Sequence, residues 1–160
     1  MAVRRIVGAD TSALIGLARC DSAFLLAALF DEVRIPQTVW VELAGAEGNA
    51  ESAAIGALGC TRLVPDRALT PAVAGLGRGE AQVILEALPE RLPVLLDDHA
   101  ARQRANALGL AVIGSLGVLV QGKRQGHLAT IAPAIATLAS RGHHLGEALI
   151  RRTLREAGED

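Results

Sequence analysis

The stretch Ile6-Val7-Gly8-Ala9-Asp10-Thr11-Ser12-Ala13-Leu14-Ile15 decides the fold class of this chain. Its first four residues are small or apolar and predict a short strand, which we expect to begin upstream at Val3. The polar run from Asp10 to Ser12 is typical of a point where a strand ends and a helix is capped. An apolar pattern with helical spacing follows over 13–19.

The same alternation of strand and helix continues along the chain. Further strands are predicted at 33–35, 61–64, 93–96 and 110–113. Helices are predicted at 22–30, from Pro36 through Gly45, weakly over 46–59, and at 79–88, 99–108, 115–124, 128–140 and 145–157. This alternation predicts a parallel sheet covered on both faces. We expect one domain over 1–160, with a core over about 1–125 and a C-terminal helical part over about 126–160.

Composition excludes several classes of protein. The chain has 160 residues, of which 51% are hydrophobic, so it can bury one core and is not disordered. Its net charge of −1 excludes a generally cationic protein that holds nucleic acid by bulk attraction. Cys20 and Cys60 are too few for a disulfide scaffold or a zinc site, so we expect a cytoplasmic protein.

One uncharged stretch of eighteen residues lies between Arg104 and Lys123, which is about the minimum length of a membrane span. Four glycines and several polar residues interrupt it. The pattern predicts a helix end, a buried strand and a helix start, separated by glycine turns. We therefore expect no membrane association.

Charge is distributed unevenly along the chain. Residues 1–98 carry a net charge of −5, whereas residues 99–160 carry +4. A protein that holds a polyanion around an acidic metal centre needs carboxylates inside and cations at the rim. Solvated helix faces would produce the same asymmetry, so charge alone does not decide between these two explanations.

Acidic residues follow two of the predicted strands. In an open parallel sheet, ligands bind beyond the carboxyl ends of the strands. The first strand ends in Asp10, and the strand at 93–96 ends in Asp97-Asp98. Either acid could instead cap the helix that follows. Adjacent carboxylates repel each other unless a cation or hydrogen bonds compensate them.

Two further acids lie in predicted helices. Glu42 lies in a mostly apolar stretch, and Glu80 opens the helix that follows Gly79. Exposure on a helix face would explain Glu42 alone, and the helix dipole would explain Glu80 alone. Together the acidic positions offer only oxygen ligands, which suit Mg²⁺ or Mn²⁺ and disfavour zinc.

Ordered blocks of the sequence resemble the PIN-domain family. The blocks are Ile6 to Ile15, Ile35-Pro36-x-x-Val39-Trp40-x-Glu42-Leu43, Leu76-Gly77-Arg78-Gly79-Glu80-Ala81, Leu95-Leu96-Asp97-Asp98-His99-Ala100-Ala101-Arg102, Leu108-Gly109-Leu110, Gly114-Ser115-Leu116-Gly117-Val118-Leu119 and Lys123-x-x-Gly126. They fall in the family's order and spacing over nearly the whole chain. The resemblance is to an uncharacterised nucleic-acid-binding branch that is similar to VapC-type toxin ribonucleases.

The resemblance implies an α/β fold, built as a three-layer α/β/α sandwich around a mostly parallel sheet, and a ribonuclease site that uses Mg²⁺ or Mn²⁺. Carried over by motif, the catalytic carboxylates are Asp10, Glu42, Glu80, Asp97 and Asp98. All of these except Glu42 are expected to bind the metal directly. Glu42 would hold a metal-bound water or a second metal more loosely. Of the adjacent pair, Asp97 is favoured as the main ligand.

Five further residues are expected to position the substrate or the site. The resemblance implies that Thr11 and Ser12 orient the loop around Asp10, and Ser115 falls where a threonine is common. Arg102 and Arg104 follow the paired acids closely and are candidates for guiding phosphate. Exposed charges on a helix face would explain both arginines equally well.

The resemblance also implies partners: single-stranded RNA as substrate, a second copy in a homodimer, and a small antitoxin protein that blocks the site. Two other classes stay open. One is a non-catalytic PIN-fold module that binds nucleic acid or protein. The other is a phosphoacceptor receiver domain, although here the paired acids lie on a late strand and no lysine directly follows the last strand.

Overall fold

The computed structural model describes residues 3–45, 49–143 and 145–160. Five strands form its sheet: β1 (Ile6–Ala9), β2 (Glu32–Pro36), β3 (Thr61–Val64), β4 (Val94–Leu95) and β5 (Val112–Ile113). Their order is β3-β2-β1-β4-β5, and every described pairing is parallel. The parallel sheet predicted from the alternating pattern is confirmed.

Helices cover both faces of this sheet. They are α1 (Thr11–Arg19), α2 (Phe24–Leu29), α3 (Gln37–Gly45), α4 (Asn49–Gly56), α5 (Arg78–Ala87), α6 (His99–Ala107), α7 (Ser115–Arg124), α8 (Ala132–Ser140) and α9 (Glu147–Glu156), with 3-10 turns at Pro71–Val73 and Leu88–Glu90. α5 packs on β1, β2 and β4 and against α6. α1 packs against α4, α7 and α8, and α2 packs against α7. The fold is the expected three-layer α/β/α sandwich.

The strand order reverses between β1 and β4. From β1 the chain builds outward through β2 to β3, and it then returns to place β4 on the other side of β1. Parallel sheets bind ligands at the carboxyl ends of the strands beside such a reversal. The backbone N–H of Asp10 donates to the carbonyl of Leu95 at 3.1 Å. The two acidic strand ends are therefore neighbours.

A continuous cluster of buried apolar side chains joins the layers. It includes Val7 of β1 and Leu119 of α7, and it extends to Ile131 and Leu138 near the C-terminus. The helices of the C-terminal part thus pack on the same core as the strands. The bounds of the single domain remain a prediction.

Several element bounds differ from those predicted. β1 begins at Ile6 rather than at Val3, and just before it the backbone N–H of Arg5 donates to the Asp31 carboxylate at 2.7 Å rather than to a strand carbonyl. Pro36 does not open α3 but ends β2, where it pairs with Val64. Of the weak helix predicted over 46–59, α4 occupies 49–56, and residues 46–48 lie outside the described part of the chain.

The uncharged stretch between Arg104 and Lys123 folds as the glycine pattern predicts. It contains the end of α6, Gly109 with a φ of +83°, strand β5 and most of α7. Within the described ranges, the helices are all too short or too polar to cross a membrane.

Candidate metal centre

Asp10 lies at the carboxyl end of β1, where it is the N-cap residue of α1. Its side chain makes no capping hydrogen bond and is buried, with 4% of the residue exposed. Burial raises the pKa of Asp10 to about 7, while the backbone N–H of Thr11 acts in the opposite direction. The charges of Glu80, Glu42 and Asp97 raise this pKa further. The structure therefore does not support helix capping as the role of this carboxylate.

Gly79 leaves a hollow between two carboxylates. A Cβ atom at this position would lie 2.8 Å from Asp10 Oδ1 and 2.8 Å from Glu42 Oε1. The two oxygens are thus no more than twice that distance apart. The Thr11 hydroxyl donates to Glu42 Oε2 at 3.2 Å and so orients this exposed carboxylate. The hollow offers oxygen donors and no room for a side chain.

Asp97 and Asp98 follow β4 but bind different backbone groups. Asp97 Oδ1 accepts a hydrogen bond from the backbone N–H of Ser115, the first residue of α7, at 2.8 Å. Asp98 caps α6, since its Oδ2 accepts from the backbone N–H of Ala101 at 2.9 Å. The capping role considered for the paired acids thus applies to Asp98, whereas Asp97 is the one whose charge acts on Asp10.

Glu80 is the third residue of α5 and bends back over the start of its own helix. Its Oε2 accepts from the backbone N–H of Gly77 at 2.9 Å. Burial raises the pKa of Glu80, and the charges of Asp98 and Glu42 add to this effect against the opposing Gly77 N–H. Glu80 is therefore coupled to the other acids by its charge and fixed by its own helix terminus.

The five acids act on one another without converging on one point. Within residues 3–45, 49–143 and 145–160, no three His, Cys, Asp or Glu side chains stand close enough to hold one metal ion. Asp97, Asp98 and Glu80 are each bound to a backbone N–H, and like charges repel. The donors are all carboxylate oxygens, which fit Mg²⁺ or Mn²⁺ rather than zinc. The choice of ligands among them remains a prediction.

Arg102 lies beside Asp97. Its Nη1 donates to the carbonyl of Leu96 at 2.8 Å. A Cβ at Gly114 would lie 2.6 Å from this nitrogen and 3.0 Å from Asp97 Oδ1, so the cation and the carboxylate border the same small space. Its suggested role in guiding phosphate remains a prediction that this position permits.

Arg104 binds the segment that precedes α5. Its Nη1 donates to the carbonyls of Ala72 and Ala74, each at 3.0 Å. These bonds tie α6 to the approach to α5, the helix that carries Glu80. These hydrogen bonds give Arg104 a structural role, and its role in guiding phosphate remains a prediction.

The predicted hydroxyl residues occupy three different environments. The Thr11 hydroxyl binds Glu42 rather than Asp10. Ser12 is exposed, and Ser115 is buried with its backbone N–H on Asp97. Of the three residues, Thr11 and Ser115 thus contact a predicted carboxylate directly.

A second cluster of charged side chains, which lies between β2 and the end of α5, was not predicted from the sequence. Arg34 of β2 is buried and donates to Glu32 at 2.7 Å, to Glu86 at 3.3 Å and to Glu90 at 3.0 Å. The hydrogen bond between Arg34 and Glu32 raises the pKa of the arginine and lowers that of the acid. The available signal was spacing, because residues two apart on a strand share a face. This cluster joins β2 to the helix that carries Glu80.

Comparisons with known proteins identify the family of this chain. A solved structure of a PilT N-terminus domain protein from the hyperthermophilic archaeon Sulfolobus solfataricus P2 is similar, with a TM-score of 0.47 and 14% identity over 89% of this chain and 98% of that one. No curated protein matches the chain significantly. A family model described as PIN domain matches residues 6–159. Because this match spans nearly the whole sequence, the chain belongs to the PIN-domain family, whose members are typically nucleases.

Proposed function

We propose that this chain is a divalent-metal-dependent endoribonuclease that cleaves single-stranded RNA. The observation that carries the proposal is Asp10, a buried carboxyl group beside the Gly79 hollow that caps no helix and has its pKa raised to about 7. Perturbed carboxyl groups of this kind cluster at functional sites, where a cation can offset their repulsion. PIN domains generally use divalent metal ions, which agrees with the all-oxygen donor set.

The proposed metal ligands are Asp10, Glu80 and Asp97 or Asp98, with Glu42 in a looser role. Bound Mg²⁺ or Mn²⁺ would supply an activated water and stabilise charge on the scissile phosphate. Asp97 is held in place beforehand by a backbone N–H, and so are Asp98 and Glu80. Groups fixed before the substrate arrives need little reorganisation during the reaction.

The surroundings of the acids favour an anionic substrate. Arg102 borders the same space as Asp97, and α6 and α7 belong to the segment 99–160, which has a net charge of +4. With two phenylalanines, one tryptophan and no tyrosine, the chain offers few surfaces on which bases could stack. We therefore propose that RNA is held by its phosphates and at the metal. The preference for single strands rests on the family resemblance.

We also propose a biological setting: a cytoplasmic toxin of a bacterial toxin–antitoxin pair, homodimeric and silenced by a small antitoxin protein. This proposal rests on the sequence blocks shared with VapC-type toxin ribonucleases. Light scattering of the purified protein would test the dimer. Induced expression should arrest bacterial growth with the wild type but not with Asp10→Asn. Arrest by both proteins would argue against toxicity through this site.

The decisive experiment is cleavage of a mixed single-stranded RNA pool with Mn²⁺. We expect the wild type to cut and EDTA to abolish cutting. Asp10→Asn should cut at least roughly a hundredfold more slowly than the wild type. Asp21→Asn is the matched control, because Asp21 is exposed and its φ of 56° is one that asparagine tolerates. This control should cut at the wild-type rate.

The other outcomes of this experiment separate the competing explanations. A folded wild type that binds Mn²⁺ but cuts nothing would indicate a narrow substrate or a copurified inhibitor. A folded wild type that neither cuts nor binds Mn²⁺ would refute the proposal in favour of a non-catalytic binding module.

A further inference from the structure

A cavity of about 400 Å³ lies at the opposite end of the sheet from the acids. Ile6, which begins β1, and Leu92 and Pro93, which precede β4, line it. The end of α2 and the last turn of α7 complete its wall. Its volume falls in the range of pockets that bind small molecules. The nuclease proposal assigns it no role.

The floor of this cavity is apolar. Leu29, Phe30 and Ile113 join Ile6 and Leu92 in lining it. These side chains come from both sides of β1 and are anchored in the main core or packed against it. A floor of this kind favours the apolar body of a ligand, because apolar surface gains free energy on leaving water.

The rim of the cavity is polar and cationic. It consists of Arg4, Arg5, Arg91, Gln121 and Gln125, and none of the acidic side chains in the described part of the chain lines the cavity. Arg4 and Arg5 make ion pairs of 3.5 Å and 3.7 Å with acids that lie outside the lining, and both arginines are at least half exposed. The pair of Arg5 is exposed on both sides and therefore weak. The pair of Arg4 is with the buried Glu32, which keeps its shorter bond to Arg34 if Arg4 turns away. An incoming anion can therefore replace both pairs.

Arg91 has an unusual backbone for an arginine. Its φ of 53° and ψ of 45° place it in the left-handed region, which costs energy for a residue with a Cβ atom. Its Nη1 lies 3.1 Å from where a Cβ of Gly109 would be. Among the ion pairs of the described residues, none involves Arg91. The connection into β4 therefore carries, beside the cavity, a cation that has no ion pair among the described residues.

We propose that this cavity binds a small amphipathic anion, with its apolar body on the floor and a single anionic head group at the arginine rim. Charge complementarity carries the choice of ligand: three arginines and two amides line the rim, and the carboxylates that pair with Arg4 and Arg5 lie outside the lining. The inference does not depend on the proposed nuclease activity, because Asp10 lies at the other end of β1.

The test uses isotope-labelled full-length protein titrated with octanoate, octyl phosphate and the neutral octanol. Proton–nitrogen correlation spectra would follow the backbone amide of Ile6 and the side-chain amides of Gln121 and Gln125. We expect saturable shifts of these signals with both anions. Octanol should bind roughly tenfold more weakly, because it cannot make charge-assisted hydrogen bonds. The two anions distinguish a carboxylate head from a phosphate head.

Variants locate the binding at the rim. Asparagine tolerates the left-handed backbone, so Arg91→Asn should keep the fold. It should lower the affinity for both anions roughly tenfold. Arg152→Gln removes an exposed cation of α9 outside the lining and should change nothing. Arg5→Gln is a second rim variant and should weaken binding by a smaller factor.

Three results would overturn the proposal. One is octanol binding as tightly as the anions. Another is an equal effect of Arg91→Asn and Arg152→Gln. The third is no saturable shift at the cavity, or shifts confined to the surroundings of Asp10. A failure of RNA cleavage, in contrast, would leave these titrations unaffected.

Discussion

Replacing Asp10 with asparagine should stabilise the metal-free protein at neutral and alkaline pH. Burial and the neighbouring acids raise the pKa of this carboxyl group from its ordinary 3.8 to about 7. In the unfolded chain the group ionises with its ordinary pKa. Between these two values the folded protein therefore keeps a proton that the unfolded chain has released, and stability falls as the pH rises through this window.

The size of the effect follows from the two pKa values. Since one pKa unit corresponds to 1.36 kcal/mol, the interval from 3.8 to about 7 corresponds to about 4 kcal/mol of stability lost above pH 7. Asparagine has nearly the same shape and does not ionise, but it accepts more weakly from the Thr11 N–H. We therefore expect a gain of about 2–4 kcal/mol at about pH 8 and less than about 1 kcal/mol at about pH 4. At the higher pH this corresponds to roughly 5–15 °C in melting temperature.

Urea unfolding followed by circular dichroism, in EDTA and at both pH values, measures this difference. Asp21→Asn serves again as the control, and its free energy of unfolding should differ little from the wild type at either pH. A loss of stability in Asp10→Asn at the higher pH would refute the reasoning. So would an equal gain at both pH values, because the gain would then not arise from ionisation.

Three other changes should give results of predictable sign. Saturating Mn²⁺ should raise the melting temperature of the wild type by several degrees and leave Asp10→Asn unmoved, because binding to the folded state stabilises it. Gly79→Ala should destabilise the protein by about 1–3 kcal/mol and abolish RNA cleavage, since its Cβ would lie 2.8 Å from Asp10 Oδ1. Gly45→Ala, whose Cβ would meet nothing within 4 Å, should change neither the stability nor the rate of RNA cleavage. In urea unfolding, Arg34→Met should cost up to about 3–5 kcal/mol, because it removes the buried cation between Glu32 and Glu86 and leaves these acids only with more exposed arginines. Arg62→Met removes an exposed arginine whose Nη1 lies 3.7 Å from Glu32 Oε1, and it should cost less than about 1 kcal/mol. Equal effects within either matched pair would contradict the explanation.

The fold was predictable where local signals are strong. The strand at 61–64 and the helix at 115–124 have their predicted bounds, since Pro65 and Gly114 mark their ends. The strand order was not predictable from periodicity, because it depends on which edges pair after distant segments meet. β4 and β5 are shorter than predicted for the same reason, because only two residues of each strand pair with the other.

The sequence predicted that acidic residues lie at neighbouring strand ends, but it did not predict how their side chains are arranged. The rule for carboxyl ends of parallel strands correctly brings Asp10 close to Asp97. The hollow at Gly79 and the bond from Ser115 to Asp97 depend on how α5 and α7 dock on the sheet, which no local pattern specifies. Arg34 was missed because charged residues in a pattern indicate an exposed face, and only tertiary pairing allows its burial.

The two charge clusters are linked through α5. Glu80 lies near the start of this helix, and Glu86 near its end is bound by Arg34 and Arg67. Gln82, between them, exchanges two hydrogen bonds with the backbone of Arg67, at 2.7 Å and 2.9 Å. A buried ion pair is weak evidence for stability, because desolvation offsets much of the attraction. Its directional bonds do fix how α5 lies along β2. The end of α5 that carries Glu80 is therefore positioned relative to β2 by contacts at the opposite end of the helix.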